Sequence, residues 1–122
     1  MKKKILVVED DKILQNVIKN TLIQAKFSVV TADDGEDALK KVILEKSDLV
    51  LLDLLMPKKT GWTVLKELKS DEGTKDIPVL VLTVHTDTES IAKCMALGAK
   101  GYFIKSEYTL DEIIEKINKI LI

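Results

Sequence analysis

Five times along the chain, a short unbroken apolar run gives way to an amphipathic helical pattern. The runs lie in Ile5-Leu6-Val7-Val8, Ser28-Val29-Val30-Thr31, Leu49-Val50-Leu51-Leu52, Val79-Leu80-Val81-Leu82 and Tyr102-Phe103-Ile104. Continuous, β-branched runs suit strands covered on both faces, as in parallel sheets. Between and after them come the helical stripes. Lys12 to Ala25 places Leu14, Val17, Ile18, Thr21 and Leu22 on one face, and Ala38, Leu39, Val42 and Ile43 mark a second helix. Asp33 or Asp34 is the expected N-cap of that second helix. A loop with Pro57 and Gly61 precedes a third stripe of Val64, Leu65 and Leu68, and Ser70 to Asp76 reads as a polar turn around Gly73.

A fourth stripe, Ile91, Met95 and Leu97, begins at a capping-box pair, Thr86 and Glu89, and is ended by Gly98. The last helix repeats that cap with Thr109 and Glu112. It buries Leu110, Ile113, Ile114, Ile117 and Leu121 and presents Glu112, Glu115, Lys116 and Lys119 outward. Strand and helix in strict alternation predict an α/β fold with a parallel sheet. The five units fill the 122 residues, so residues 1–122 are expected to form a single domain. Five units are too few for an eight-stranded barrel. A doubly wound five-stranded parallel sheet of strand order 2-1-3-4-5 is the expected architecture.

Composition narrows the function classes. Nineteen Lys and Arg against twenty Asp and Glu leave a formal charge of −1 with no basic stripe, which argues against nucleic acid or an anionic membrane as the direct partner. Cys94 and His85 are the sole cysteine and histidine, so neither a disulfide nor a Cys/His zinc site can be assembled within the chain. The run behind Lys2-Lys3-Lys4 is too short for a signal peptide, and no stretch approaches the ~20 apolar residues of a membrane helix. A cytoplasmic location is expected.

In open α/β sheets, ligands bind where the strands end, beside the point at which strand order reverses. There the sequence sets Glu9, Asp10 and Asp11 after the first strand, Asp53 after the third, Thr83 after the fourth and Lys105 after the fifth. Two carboxylates about 4 Å apart repel by ~4 kcal/mol at an effective dielectric of 20. Such a cluster persists only when a raised pKa or a cation relieves it. An all-oxygen donor set selects a hard cation, Mg²⁺ foremost and Mn²⁺ as a substitute. With a hydroxyl and an ammonium beside it, the edge suits phosphoryl transfer to Asp53. No Gly-rich turn follows the first strand, no Walker loop is present, and no G-x-S-x-G elbow occurs.

These residues together resemble the receiver domain of two-component response regulators, close to the stand-alone chemotaxis type, over essentially the whole chain. The resemblance implies a flavodoxin-like (βα)5 fold and a regulatory phosphoacceptor rather than an enzyme. Glu9 and Asp10 correspond to the family's metal-binding pair, Asp53 to the phosphorylated aspartate, and the Leu55 carbonyl to a main-chain metal ligand. Thr83 corresponds to the switch hydroxyl, Lys105 to the essential lysine, and Tyr102 to the aromatic that changes rotamer. Gly61 closes a Met-Pro-x-x-x-Gly run after Asp53. The implied partners are a histidine kinase or histidine phosphotransfer protein and a downstream effector or fused output domain. A homodimer linked to phosphorylation is a further implication.

Two residues depart from the pattern. Ser106 stands where the family usually has proline, often after a cis bond, and Val84 where a small residue usually follows the threonine. A cis bond before Ser106 would cost roughly 2.5–4 kcal/mol, and a branched Val84 would narrow access to Asp53. They motivate one alternative, a receiver that binds partners without phosphorylation. The other alternative is an aspartyl-nucleophile phosphatase, disfavoured because Asp53-Leu54-Leu55 lacks a second Asp. Asp11 is expected to cap the first helix, Trp62 to pack at the start of the third, and Cys94 to be a small helix residue.

Overall fold

The computed structural model describes residues 2–54, 60–84 and 87–121. Among them, strands and helices alternate as β1 (Lys4–Val8), α1 (Lys12–Gln24), β2 (Ser28–Ala32), α2 (Gly35–Glu45) and β3 (Leu49–Leu52). They continue as α3 (Gly61–Ser70), β4 (Val79–Thr83), α4 (Thr88–Ala96), β5 (Gly101–Ile104) and α5 (Leu110–Leu121). The sheet has the order β2-β1-β3-β4-β5, and every pairing is parallel. None of the described helices is long and apolar enough to cross a membrane.

Successive strand residues point to opposite faces, and the sheet sorts them accordingly. Leu6, Val8, Val50, Leu52, Val79 and Val81 meet Ala38, Val42, Val64, Leu65, Leu68 and Cys94 from α2, α3 and α4. On the other face Ile5, Val7, Leu49, Leu51, Leu80 and Leu82 meet Ile18, Leu22, Ile113 and Ile117 from α1 and α5. Each fully buried Leu, Ile or Val contributes ~1.5–3 kcal/mol relative to exposure, so both faces demand apolar residues at consecutive positions. That demand explains the unbroken runs.

The helices required corrections. Val17 and Ile43, expected on buried stripes, are 46% and 61% exposed. The buried line of α1 is instead Gln15, Ile18 and Leu22, and that of α2 is Gly35, Ala38 and Val42. On α4, Met95 is 46% exposed and the buried residue is Cys94. The thin thiol lets the helix approach the sheet beside Trp62 and Tyr102, which turns Met95 outward. The N-cap of α4 is Asp87, whose carboxylate accepts from Ser90 N–H at 2.8 Å; Thr86 lies outside the described residues. Asp34 caps α2, and the Thr109–Glu112 box forms in both directions, each main-chain N–H donating to the other's side chain.

Gly98 ends α4 with φ +104°. Its N–H donates to the Met95 carbonyl while Ala99 N–H donates to that of Cys94, both at 3.1 Å, a Schellman closure that favours glycine at this position.

Candidate functional site

Main-chain pairing continues one step past the strand ends and fixes the residues that follow them. Asp53 N–H donates to the Val8 carbonyl at 3.1 Å, Glu9 N–H to that of Ala32 at 3.1 Å, and Lys105 N–H to that of Thr83 at 2.8 Å. Because Val8 pairs with Leu52, Glu9 and Asp53 are cross-strand neighbours by register. Asp10 belongs to the short turn into α1. Asp11 closes that turn as the N-cap, its carboxylate accepting from the N–H groups of Ile13 and Leu14, as expected.

Oxygens of Glu9, Asp10 and Asp53 all lie within 4.8 Å of one another. Glu9 and Asp53 are 2% and 5% exposed, while Asp10 opens to solvent. Lys105 reaches in from the end of β5, its Nζ 2.8 Å from Glu9 Oε1 and 3.4 Å from Asp53 Oδ2. Thr83, wholly buried, ends β4 next in line. Four of the side chains singled out by sequence, Glu9, Asp10, Asp53 and Lys105, therefore converge. Tyr102 lies further off, half-buried against the cluster that contains Cys94 and Trp62. The Leu55 carbonyl and His85 lie outside the described residues.

Burial and the neighbouring Asp53 push the Glu9 carboxyl up to about 7, although the Lys105 hydrogen bond pulls the other way. Burial lowers the Lys105 ammonium, but Glu9 and Asp53 more than offset it, and its pKa is raised. Among the described residues, the Lys105 ammonium is paired with two members of this three-carboxylate group, Glu9 and Asp53. Even at the 4.8 Å limit, two ionised carboxylates would repel by ~3.5 kcal/mol with an effective dielectric of 20. A hard divalent cation fits this all-oxygen, negatively charged donor set.

Gly61, at the start of α3, packs against the Asp53 main chain. A Cβ there would stand 2.4 Å from the Asp53 carbonyl oxygen and 2.6 Å from the Leu54 Cα. Only glycine permits that approach, and its N–H donates to the Leu54 carbonyl at 3.0 Å. Trp62 follows, with Lys93 Nζ 5.1 Å from its ring centroid. The peptide before Ser106 is trans, and Val84 is 58% exposed.

Gln15 escaped the sequence reading. It is buried beneath the acidic turn and donates to main-chain carbonyls there. Its spacing of three from Ile18 and seven from Leu22 was a usable signal, but its partners are backbone atoms that residue letters do not mark. Larger concavities, of about 420 and 430 Å³, lie elsewhere, beside α2 and the end of α3.

A family model described as the response regulator receiver domain matches residues 5–118. The chain belongs to that family. This receiver is 38% identical over 120 residues to the probable transcriptional regulator ycf27 of Cyanophora paradoxa, covering 98% of this chain and 48% of that protein. It is 36% identical over 121 residues to the alkaline phosphatase synthesis transcriptional regulatory protein PhoP of Bacillus subtilis, covering 99% and 49%. The chain spans about half the length of these curated relatives.

Among solved structures, chemotaxis protein CheY4 of Vibrio cholerae superposes with TM-score 0.91 at 29% identity, covering 99% of this chain and 100% of that one. The BeF3-activated N-terminal receiver domain of Klebsiella pneumoniae RstA gives 0.90 at 28%, covering 98% of each. Receiver domains are regulatory phosphoacceptor domains of two-component systems. They bind Mg²⁺ at an acidic pocket and interact with histidine kinases and output domains.

Proposed function

We propose that residues 1–122 act as one cytoplasmic receiver unit in which Asp53 accepts a phosphoryl group from phosphohistidine on a histidine kinase or histidine phosphotransfer protein. The observation that carries this reading is the convergence of Asp53, Glu9, Asp10 and Lys105 at one strand edge. An Asp53 carboxylate oxygen attacks phosphorus in line as the P–N bond breaks. The imidazole nitrogen leaves with the bonding pair, and an acyl phosphate remains.

Glu9, Asp10 and Asp53, with the Leu55 carbonyl implied by the family resemblance, would hold Mg²⁺, which when bound neutralises charge on the phosphoryl oxygens. Lys105, already 3.4 Å from Asp53, exchanges a carboxylate partner for a phosphoryl oxygen. Thr83 donates its hydroxyl to another. Movement of Thr83 with Tyr102 then alters the α4–β5–α5 surface, where an effector, a fused output domain or a second receiver docks. The output is a population shift between two states.

The test is labelling by acetyl phosphate. Mg²⁺-dependent, hydroxylamine-sensitive label is expected on the parent protein and none on Asp53→Asn. Label that survives the substitution refutes the assignment of Asp53. No label on the parent with Mg²⁺ present favours a receiver that works without phosphorylation.

A further inference from the structure

Gln15 stands where α1 faces the sheet, in line with Ile18 and Leu22, yet it is polar and only 3% exposed. Its side-chain amide donates to the Glu9 carbonyl at 2.8 Å, to Asp33 Oδ1 at 2.9 Å and to the Ala32 carbonyl at 3.3 Å. All three partners are acceptors, two of them main-chain carbonyls. The amide orientation is therefore dictated, because a flipped amide would set its oxygen against three others.

The Ala32 carbonyl also accepts from Glu9 N–H, the rung that joins the end of β1 to the end of β2. Gln15 thus grips that rung and ties it to the loop before α2, where Lys12 pairs with Asp33. The Glu9 main chain is held through both its N–H and its carbonyl. That carbonyl belongs to the peptide leading into Asp10, so the restraint passes to both acids. Left unrestrained, mutually repelling carboxylates relax by swinging the turn outward, which separates the oxygens a cation needs together.

We propose that Gln15 is a positioning residue for the acidic turn. It holds the main chain of Glu9 and Asp10 so that their carboxylates stay converged on Asp53, and it thereby sets the affinity of the edge for a divalent cation. This inference rests on the Mg²⁺ reading of the site.

Gln15→Met tests it, because methionine keeps the length and the burial while removing both donors. In a titration with MgCl₂ alone, followed by amide chemical shifts, the dissociation constant is expected to rise on the order of tenfold or more. Acetyl phosphate labelling is expected to return toward the parental rate at saturating Mg²⁺. Amide hydrogen exchange without metal is expected to quicken at Glu9 and Asp11 and to stay unchanged in β3 and β4. Val42→Ala, in the core on the other face of the sheet, controls for lost stability and is expected to leave the Mg²⁺ constant where it was.

An unchanged constant in Gln15→Met, or an equal loss in Val42→Ala, overturns the proposal. If the parent protein neither binds Mg²⁺ nor accepts label, the phosphoacceptor reading fails separately. Exchange at Glu9 then decides the role of Gln15: quickening upholds the anchoring, and no change overturns it.

Discussion

The centre of the sheet and its β5 flank are built to different specifications. At the centre β3 and β4 are buried along their whole length, and α3 sinks Gly61, Val64, Leu65 and Leu68. At the flank α4 sinks Cys94, and β5 buries Phe103 while its other residues stay half-exposed. The carboxylates of Glu9 and Asp53 are mounted on the well-packed centre, where geometry is expensive to change. The surface assigned above to the effector lies on the flank, where a shift of α4 disturbs little apolar contact. A rigid site beside a lightly anchored reader is the arrangement a two-state switch needs, since motion is drawn from the regions of low local stability.

Truncation is the bluntest way to break this contrast. Leu65→Ala removes a wholly buried side chain from α3 and is expected to cost ~2–5 kcal/mol. Met95→Ala on α4 removes one that is 46% exposed and is expected to cost about 1 kcal/mol or less. Urea unfolding measures both. Equal costs would mean that α4 is as firmly seated as α3.

The next effect is electrostatic and belongs to the centre. The folded state raises Glu9 from 4.5 to about 7, so it binds that proton more tightly than the unfolded chain does. A raised acid supports the fold fully below the unfolded value, and that support is lost as pH climbs through the folded value. Metal-free protein is therefore expected to lose stability between pH 4.5 and about 7, opposite to an ordinary paired carboxylate. Glu9→Gln should flatten that slope and raise the urea midpoint at pH 8. A parent protein that gains stability over the same interval, with chelator present, would show that the site carries no charge strain.

Legibility in the sequence followed the same division. Strands buried on both faces announce themselves as unbroken apolar runs, and β3, read as Leu49 to Leu52, has those very bounds. The functional edge was legible because polar residues stand at the ends of the first, third, fourth and fifth apolar runs, so topology alone brings Glu9, Asp53 and Lys105 together. Helix faces were harder. Val17 and Ile43 are apolar letters on stripe margins that stay 46% and 61% exposed, whereas Gln15 is a polar letter at a stripe centre. Residue type reports the cost of exposure; it does not report which main-chain carbonyls lie opposite. On α4 the approach to the sheet depends on a small thiol among larger apolar residues, and periodicity gives the bulk of Met95 more weight than the slimness of Cys94.

That same thiol sharpens the comparison, because it is the chain's sole cysteine and is the buried residue of α4. Burial raises its pKa, partly offset by the nearby Trp62 indole and the Lys93 charge. Reaction with an aromatic disulfide reagent in the native state therefore requires α4 to lift. If the flank opens locally, labelling at low urea proceeds at a rate nearly independent of urea, and Leu65→Ala leaves that rate almost unchanged. If Cys94 reacts only through global unfolding, Leu65→Ala accelerates it by the full loss of stability, and the flank is no looser than the centre.

Tyr102 supplies the finest measure, since it reports how closed the flank is at rest. Burial raises its phenol to about 12, with the neighbouring Cys94 and Asp87 charges adding to the rise. A phenol with a raised folded pKa stabilises the fold below its unfolded value of 10, and that support fades as pH passes through 10 toward 12. Absorbance of tyrosinate, read immediately after a pH jump and before unfolding, should show a component near 12 that Tyr102→Phe removes. Cys94→Ala and Asp87→Asn should each lower that component by less than full exposure would, because desolvation is the leading cause. Ionisation of Tyr102 at the ordinary value of 10 would mean that water already reaches the ring, and that the flank stands open before any phosphoryl group arrives.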